Sequence, residues 1–177
     1  MERWIALDVE TTGLSPTRHE ICELALVPFG IDVDANEHVL RFTQADFHPS
    51  PLAATRLRLL ALLRAIGADA VLVAHNAAFD LAFLAEALRR ARVSPFAFRA
   101  YCTLRLARKL LPGLSRFDLA ALRDALQIEG GRPHVALADA RAVAALFKSL
   151  VERGGFADEA ALRALHGPPV RVRARCG

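Results

Sequence analysis

The sequence predicts an α/β fold built on a mixed central sheet of about five strands flanked by helices. Two observations predict it. Three strand-like segments come first in the chain, and strands and helices alternate after them. Early strands followed by such alternation indicate an α/β architecture with a mixed sheet. The 177 residues are enough for one domain with a buried core.

The early strands are predicted from short apolar runs bounded by turn residues, and they cover residues 4–9, 20–29 and 38–42. Gly13 and Pro16 predict a turn after the first strand. Pro28 and Gly30 interrupt the second. Residues 32–37 are expected to connect it to the third.

The later elements are predicted from spacing and composition. Leucines and an isoleucine at helical spacing predict a helix that opens at residues 49–51. Residues 71–74 are all apolar, as expected for a strand inside a parallel sheet, and residues 97–101 predict the last strand. The other helices are expected over residues 78–91, 104–110, 118–126 and 136–152.

The cysteine pattern favours a reducing compartment. Cys22, Cys102 and Cys176 lie far apart and form no C-x-x-C pair, which argues against a zinc ribbon or a thioredoxin-like motif. The start of the chain does not resemble a secretory signal, and no apolar run reaches transmembrane length. We therefore expect a cytoplasmic protein without a membrane partner.

The net charge of +4 is compatible with a polyanionic partner such as nucleic acid, although many proteins of this size carry such a charge for solubility alone. Three arginines follow Pro168 and Pro169 near the end of the chain. We expect one domain over residues 1–166 and an exposed, mobile basic tail over residues 167–177.

Asp8 and Glu10 lie two apart at the end of the first predicted strand, so their side chains share one face of it. Acids at the end of a strongly apolar strand need a compensating partner, and a metal ion is an effective one. A lone D-x-E pattern is common, and an exposed strand end explains it equally well.

Asp80 and Asp139 both lie on the apolar stripes of predicted helices, where a carboxylate is expected to be buried. A helix-capping role is the simpler alternative for Asp80. Together with the D-x-E strand, however, the two acids suggest convergence on one point. Converging carboxylates repel one another, and their hard oxygens favour Mg²⁺ or Mn²⁺ over zinc.

His134 lies five residues before Asp139, in the loop ahead of its helix. Histidine is the usual general base near neutral pH. A lone histidine is more often a cap or merely exposed, but its position beside Asp139 favours the catalytic interpretation.

Three segments resemble motifs of the DEDDh, or DnaQ-like, exonuclease family, which includes the proofreading epsilon subunit of bacterial DNA polymerase III and ribonuclease T. The first motif reads DVETTGLSP over residues 8–16. The second reads VAHNAAFD over residues 73–80, and the third HVALADA over residues 134–140. They occur in the family's order, and the resemblance covers about residues 3–150.

The resemblance implies a ribonuclease H-like fold and 3′→5′ exonuclease activity on DNA, with single-stranded or mismatched ends preferred. The four acids would bind two divalent ions, and His134 would be the general base of a two-metal hydrolysis that releases nucleoside 5′-monophosphates. Four residues would contact the terminal nucleotide, with Leu14 as a wedge against the last base: Thr11, Thr12, Leu14 and Phe79. His75 and Asn76 would stabilise a turn.

The chain departs from the family between Phe42 and Val71, where it is short and lacks a His-Gly-Ile-Thr-like segment. His48 is a poor substitute, so a more open substrate mouth is expected. An exoribonuclease that trims RNA ends with the same site is the main alternative. A catalytically inactive nucleic-acid-binding module that accompanies a polymerase is less favoured, because the four acids and His134 are all present. The expected partners are 3′ ends of DNA or RNA, with a DNA polymerase as a further candidate.

Overall fold

The computed structural model describes residues 3–30, 38–41, 52–67, 70–93, 96–129 and 131–174. Its strands are β1 (Arg3–Thr11), β2 (Ile21–Phe29), β3 (His38–Arg41), β4 (Ala70–Ala74), β5 (Phe96–Cys102) and β6 (Val170–Ala174). Its helices are α1 (Leu52–Ile66), α2 (Ala77–Arg90), α3 (Thr103–Leu110), α4 (Leu119–Leu126), α5 (Ala136–Gly154) and α6 (Glu159–His166).

The sheet is mixed, with the strand order β3-β2-β1-β4-β5-β6. The central strands β1, β4 and β5 run parallel to one another. The outer strands β2, β3 and β6 are antiparallel to their neighbours. The carboxyl ends of the three parallel strands therefore meet at one edge of the sheet, where ligand sites of open α/β sheets are usually found.

The residues of β1 alternate between two layers of core, as its sequence predicts. Ile5, Leu7 and Val9 pack into the layer that contains α1 and α2. Trp4 and Ala6 pack into the layer that contains helices α3 to α6. The strand thus directs its next even-numbered residues, which are acidic, to the same side of the sheet as α5.

The predicted strands and helices are all present with small shifts at their ends, and the mixed α/β sheet is confirmed. Two elements at the end of the chain were not predicted. The first is α6, whose start is capped because Asp158 accepts a hydrogen bond from the Ala161 N–H at 2.8 Å. Two contacts to β5 hold it: the Tyr101 hydroxyl donates to Glu159 at 2.8 Å, and the Cys102 N–H donates to His166 Nε2 at 3.0 Å.

The second is β6, which corrects the expectation of a mobile tail and raises the number of strands from about five to six. Val170–Ala174 pairs antiparallel with β5 across the register Phe98↔Val172. Val170 and Val172 pack against the core, whereas Arg171 and Arg173, which alternate with them, are exposed. This alternation is typical of a half-buried strand. The division into a domain over residues 1–166 and a separate tail stays a prediction.

The first part of the segment in which the chain departs from the family, residues 42–51, lies outside the described residues. His48 falls there, whereas α1 is described. The expected openness of the substrate mouth accordingly stays a prediction. In the part of the chain that the structure describes, no helix is both long and apolar enough to cross a membrane.

Candidate active site

The predicted site residues come from three elements that meet at the edge where the parallel strands end. Asp8 and Glu10 lie in the last part of β1. Asp80 lies in the first turn of α2, which follows β4, and Asp139 lies in the first turn of α5. Both helical acids are buried, with side chains that are 3% and 9% exposed. The structure therefore brings together four acids that are far apart in the chain.

Asp8 and Asp80 form the buried part of this cluster. One carboxylate oxygen of each, Oδ2, is buried and receives no hydrogen bond from any described residue. Burial, then the charges of Asp139, Glu10 and Glu23, raise the pKa of Asp8 to about 8. Burial and the charge of Asp8 raise the pKa of Asp80 well above its usual value. Oxygens left in this state are neutralised either by a proton or by a cation, and the number of neighbouring carboxylates suits a cation.

Glu10, His134 and Asp139 form the outer part of the cluster. One potential ligand atom from each lies within 4.8 Å of the other two, so the three side chains could hold one metal ion. Glu10 is half-buried and His134 is exposed. Burial raises the pKa of Glu10, and the neighbouring carboxylates of Asp139 and Glu23 raise it further, whereas His134 acts in the opposite direction.

The loop that bears His134 is attached to Asp139 through its backbone. The His134 N–H donates to Asp139 Oδ2 at 2.9 Å. His134 has a φ of +59°, a left-handed conformation that is uncommon for a residue with a side chain. The hydrogen bond and the turn together place the imidazole beside the acids. His134 is thus adjacent to Asp139 in space as well as in sequence.

Glu23 is a fifth carboxylate at this site, and the sequence analysis gave it no role. It lies on β2 directly opposite Glu10 in the antiparallel ladder. Its Oε2 accepts a hydrogen bond from the Ala136 N–H at 3.3 Å, so it satisfies a free amide at the start of α5. Only the register between β1 and β2 reveals this position, and no local motif encodes that register.

The residues expected to contact a nucleotide surround the turn after β1. The Thr11 hydroxyl donates to the Gly13 carbonyl at 2.8 Å, and the Thr12 hydroxyl accepts from the Glu20 N–H at 3.0 Å. Both hydroxyls thus stabilise the turn itself. A Cβ at Gly13 would lie 2.4 Å from the His19 ring, so a larger residue there would displace that ring. Leu14, at the turn's tip, is 84% exposed.

Phe79, in the first turn of α2, directly precedes Asp80. It is half-buried, packs against the core and contacts Phe83 with 4.9 Å between ring centroids. Its partly exposed face and the exposed Leu14 side chain are both available to a ligand. Their contact with a terminal nucleotide stays a prediction.

His75 and Asn76 lie in the turn between β4 and α2. His75 Nε2 donates to the Phe117 carbonyl at 3.0 Å, and Nδ1 is hydrogen-bonded to the Thr103 hydroxyl at 2.9 Å. Burial lowers the pKa of His75. Asn76 has a φ of 65° and precedes the first residue of α2. These contacts support the turn-stabilising role expected for both residues.

Comparison with known proteins agrees with this geometry. The RNase T family model, described as exonuclease, matches residues 38–147, which is more than half of the chain. The chain belongs to the RNase T exonuclease family. The DnaQ-like resemblance is thus confirmed, and the chain is an exonuclease domain of the 3′→5′ type.

Two curated relatives match most of the domain. The DNA polymerase III PolC-type of Oceanobacillus iheyensis is 33% identical over 169 residues, covering 86% of this chain and 12% of that protein. The 3′-5′ exonuclease DinG of Bacillus subtilis is 28% identical over 170 residues, covering 86% of this chain and 18% of that protein. The chain therefore spans less than a fifth of these relatives.

One solved structure matches over its full length. Exonuclease X, in complex with 5′ overhanging duplex DNA, is 26% identical, with a TM-score of 0.63 over 94% of this chain and 100% of that chain. The similar solved structures are exonucleases of ribonuclease H-like fold, which confirms the fold expected from the resemblance.

Proposed function

We propose that this domain removes nucleotides from the 3′ ends of DNA, preferring single-stranded or mismatched ends, and releases nucleoside 5′-monophosphates. The observation that carries the proposal is the convergence of Asp8, Glu10, Asp80 and Asp139 around two orphaned carboxylate oxygens, with His134 beside them. The relatives are much longer than this chain, so the activity and partners of the whole protein belong to the proposal.

The site residues fit a pair of divalent cations. Asp8 Oδ2 and Asp80 Oδ2 are buried acceptors that need positive charge, and the surrounding ligands are hard oxygens that suit Mg²⁺ or Mn²⁺. Asp8, Glu10 and Asp139 would hold one ion, and Asp8 with Asp80 would hold the other. When bound, such ions lower the pKa of a water ligand and stabilise negative charge on a departing oxygen.

His134 would act as the general base. Its imidazole is exposed at the rim, so it can take a proton from a water molecule beside the terminal phosphodiester. The water oxygen then bonds to phosphorus as the bond from phosphorus to the 3′-oxygen breaks. Glu10 and Asp139, close to the ring, would stabilise the imidazolium that forms. The departing 3′-oxygen takes a proton from solvent, so the shortened strand ends in a 3′-hydroxyl.

The turn after β1 would receive the terminal nucleotide. Thr11 and Thr12 hold the turn through their hydroxyls, and this leaves the exposed Leu14 side chain on its tip. Leu14 would wedge against the last base, and Phe79 would pack against the terminal nucleoside. Both contacts are apolar and independent of base identity, which suits an enzyme that trims without sequence preference.

DNA is proposed as the substrate instead of RNA because two of the similar proteins are associated with DNA. One relative is a DNA polymerase, and the structure of exonuclease X was solved in complex with duplex DNA. The PolC-type relative also makes a DNA polymerase a candidate partner. An exoribonuclease with the same site residues is the second candidate function. The cytoplasmic location of the protein stays a prediction.

The decisive experiment is digestion of 5′-labelled single-stranded DNA, RNA and mismatched duplex DNA with Mg²⁺, with Mn²⁺ and with a chelator. The expected result is a ladder that shortens from the 3′ end on DNA, that requires a metal and that yields 5′-monophosphates. Faster digestion of RNA would favour the exoribonuclease. No digestion of any substrate with either metal would contradict the proposal.

A further inference from the structure

A basic groove lies beside the candidate active site, at the same edge of the sheet. Its volume is about 330 Å³, and three cations of α3 line it: Arg105, Arg108 and Lys109. Asn76 and Ala78, at the start of α2, form the opposite wall. None of the described residues that line it is acidic. The groove therefore suits a ligand with more than one negative charge.

The strand register relates this groove to the acids. Cys102, another lining residue, is level with Ala74 in β4, and Val73 is level with Ala6 in β1. The groove wall thus begins about one residue before the level of Asp8. Only β4 lies between β1 and β5, and neighbouring strands are about 4.8 Å apart, so the backbones of the strands that carry Asp8 and Cys102 are about 10 Å apart.

Two of the three cations are engaged in holding the end of the chain. Arg105 donates to the Pro168 carbonyl at 3.2 Å, and Lys109 donates to the Leu165 carbonyl. These contacts fasten the last turn of α6 and the segment that follows it against α3. These residues give the groove its charge, but they also support the fold, so they are poor choices for a test.

Arg108 is the cation best placed for a ligand. It is exposed, and no described residue forms a hydrogen bond or an ion pair with its guanidinium. Burial is the main cause of the lowered pKa of His75, and the charge of Arg108 lowers it further, whereas the Phe117 carbonyl and the Asp118 charge raise it. Arg108 is therefore near the turn between β4 and α2. The guanidinium fork suits phosphate oxygens.

We propose that this groove binds the sugar–phosphate backbone of the substrate strand on the 5′ side of the terminal nucleotide, with Arg108 as a phosphate ligand. The inference rests on the proposed function, since it assigns a path to that substrate. Stacked nucleotides advance about 3.4 Å each, so 10 Å corresponds to at most about three nucleotides. The domain would therefore favour strands of several nucleotides over the shortest substrates.

Two substrates of different length test this path. The p-nitrophenyl ester of thymidine 5′-monophosphate carries the scissile phosphate but no upstream phosphodiester, whereas a thymidylate octamer has both. For Arg108→Ala we expect kcat/KM on the octamer to fall about tenfold or more, as for one lost charged hydrogen bond. Hydrolysis of the ester should be unchanged.

Binding under chelator gives a second measurement that does not need turnover. The affinity for a fluorescent thymidylate octamer, followed by anisotropy, should fall with salt, and the log–log slope should decrease by about 0.7 in Arg108→Ala. Arg108→Glu should weaken binding further. The matched control is Arg153→Ala, an exposed arginine in the last turn of α5, about 20 Å along that helix from Asp139.

The outcomes separate the two proposals. If the wild-type protein hydrolyses neither substrate, the proposed function fails, and the salt slope still reports on the groove. If the wild-type protein is active but Arg108→Ala slows the hydrolysis of both substrates equally, or of neither substrate, the proposed path is wrong. Equal effects of Arg153→Ala and Arg108→Ala on the octamer would also overturn the proposed path. Arg108 would then contribute only through the net charge of the protein.

Discussion

Asp8 has surroundings that an ordinary carboxylate would not tolerate. It is half-buried, interacts with four other acids and has one oxygen without a hydrogen-bond donor among the described residues. In water its pKa would be 3.8, but here it is raised to about 8. Such an arrangement destabilises the metal-free protein and is explained by a bound cation, which turns the same charges into ligands.

His134→Ala tests the division of roles between base and ligands. We expect it to reduce turnover by about 10²–10⁴-fold, the usual contribution of a general base, while metal binding persists. Asp8→Ala should lose both. Digestion rates and calorimetric titration with Mn²⁺ measure the two properties. Wild-type cleavage by His134→Ala at neutral pH would show that another group is the base.

Glu23→Ala and Glu23→Gln test the role of the fifth carboxylate. The alanine variant leaves the Ala136 N–H without its acceptor, so we expect a loss of about 1 kcal/mol in the free energy of unfolding, as for other helix caps. The glutamine variant retains an acceptor oxygen and should recover most of that stability. Urea denaturation of both variants measures this, and equal losses would indicate that the hydrogen bond is unimportant.

At the scale of secondary structure, β6 is the element that changes the view of the chain most. It covers the edge of β5, and α6 is held to β5 by Tyr101 and His166 just before it. An exposed sheet edge is a template for aggregation, so the basic final strand protects the domain as well as extending its sheet.

Truncation tests the contribution of β6. A chain that ends at Gly167 should have a lower melting temperature than one that ends at Ala174, and it should form larger species in size-exclusion chromatography, because the β5 edge and its apolar contacts are uncovered. The longer truncation product is the control, since it retains the whole strand. Equal melting temperatures for the two would show that residues 168–174 are dispensable for the fold.

At the scale of the whole molecule, the acid cluster links stability, pH and metal. The pKa of Asp8 is higher in the folded protein than in the unfolded chain, so the folded state binds this proton more tightly. The contribution of Asp8 to the free energy of unfolding should therefore be greatest below about pH 4. It should fall as the pH rises to about 8. A divalent metal competes with the proton and should bind more tightly as the pH rises.

Melting temperatures with and without Mn²⁺ test this linkage. We expect the rise produced by the metal to be larger at about pH 8.5 than at about pH 5.5. Asp8→Asn, which cannot ionise at this position, is the matched control and should reduce both the pH dependence and the metal effect. A metal-induced rise that is the same at both pH values would contradict the raised pKa of Asp8.

Much of the fold and site was predictable because local periodicity encodes it. Strand alternation placed Asp8 and Glu10 on one face, and helical spacing placed Asp80 and Asp139 on buried stripes. The remainder depends on contacts between distant segments. The position of Glu23 requires the β1–β2 register. Two of the five residues of β6 are arginines, so its alternating valines gave too weak a pattern to distinguish it from a solvated tail.

The position of the acids along the chain limits when this nuclease can become active. Asp8 and Glu10 lie near the start, Asp80 near the middle, and His134 and Asp139 about three quarters of the way to the end. They meet only when the central strands have paired and α5 has docked on them. A partly synthesised or partly folded chain therefore has no competent cutting site, so the domain is harmless to cellular nucleic acid until its tertiary structure is complete.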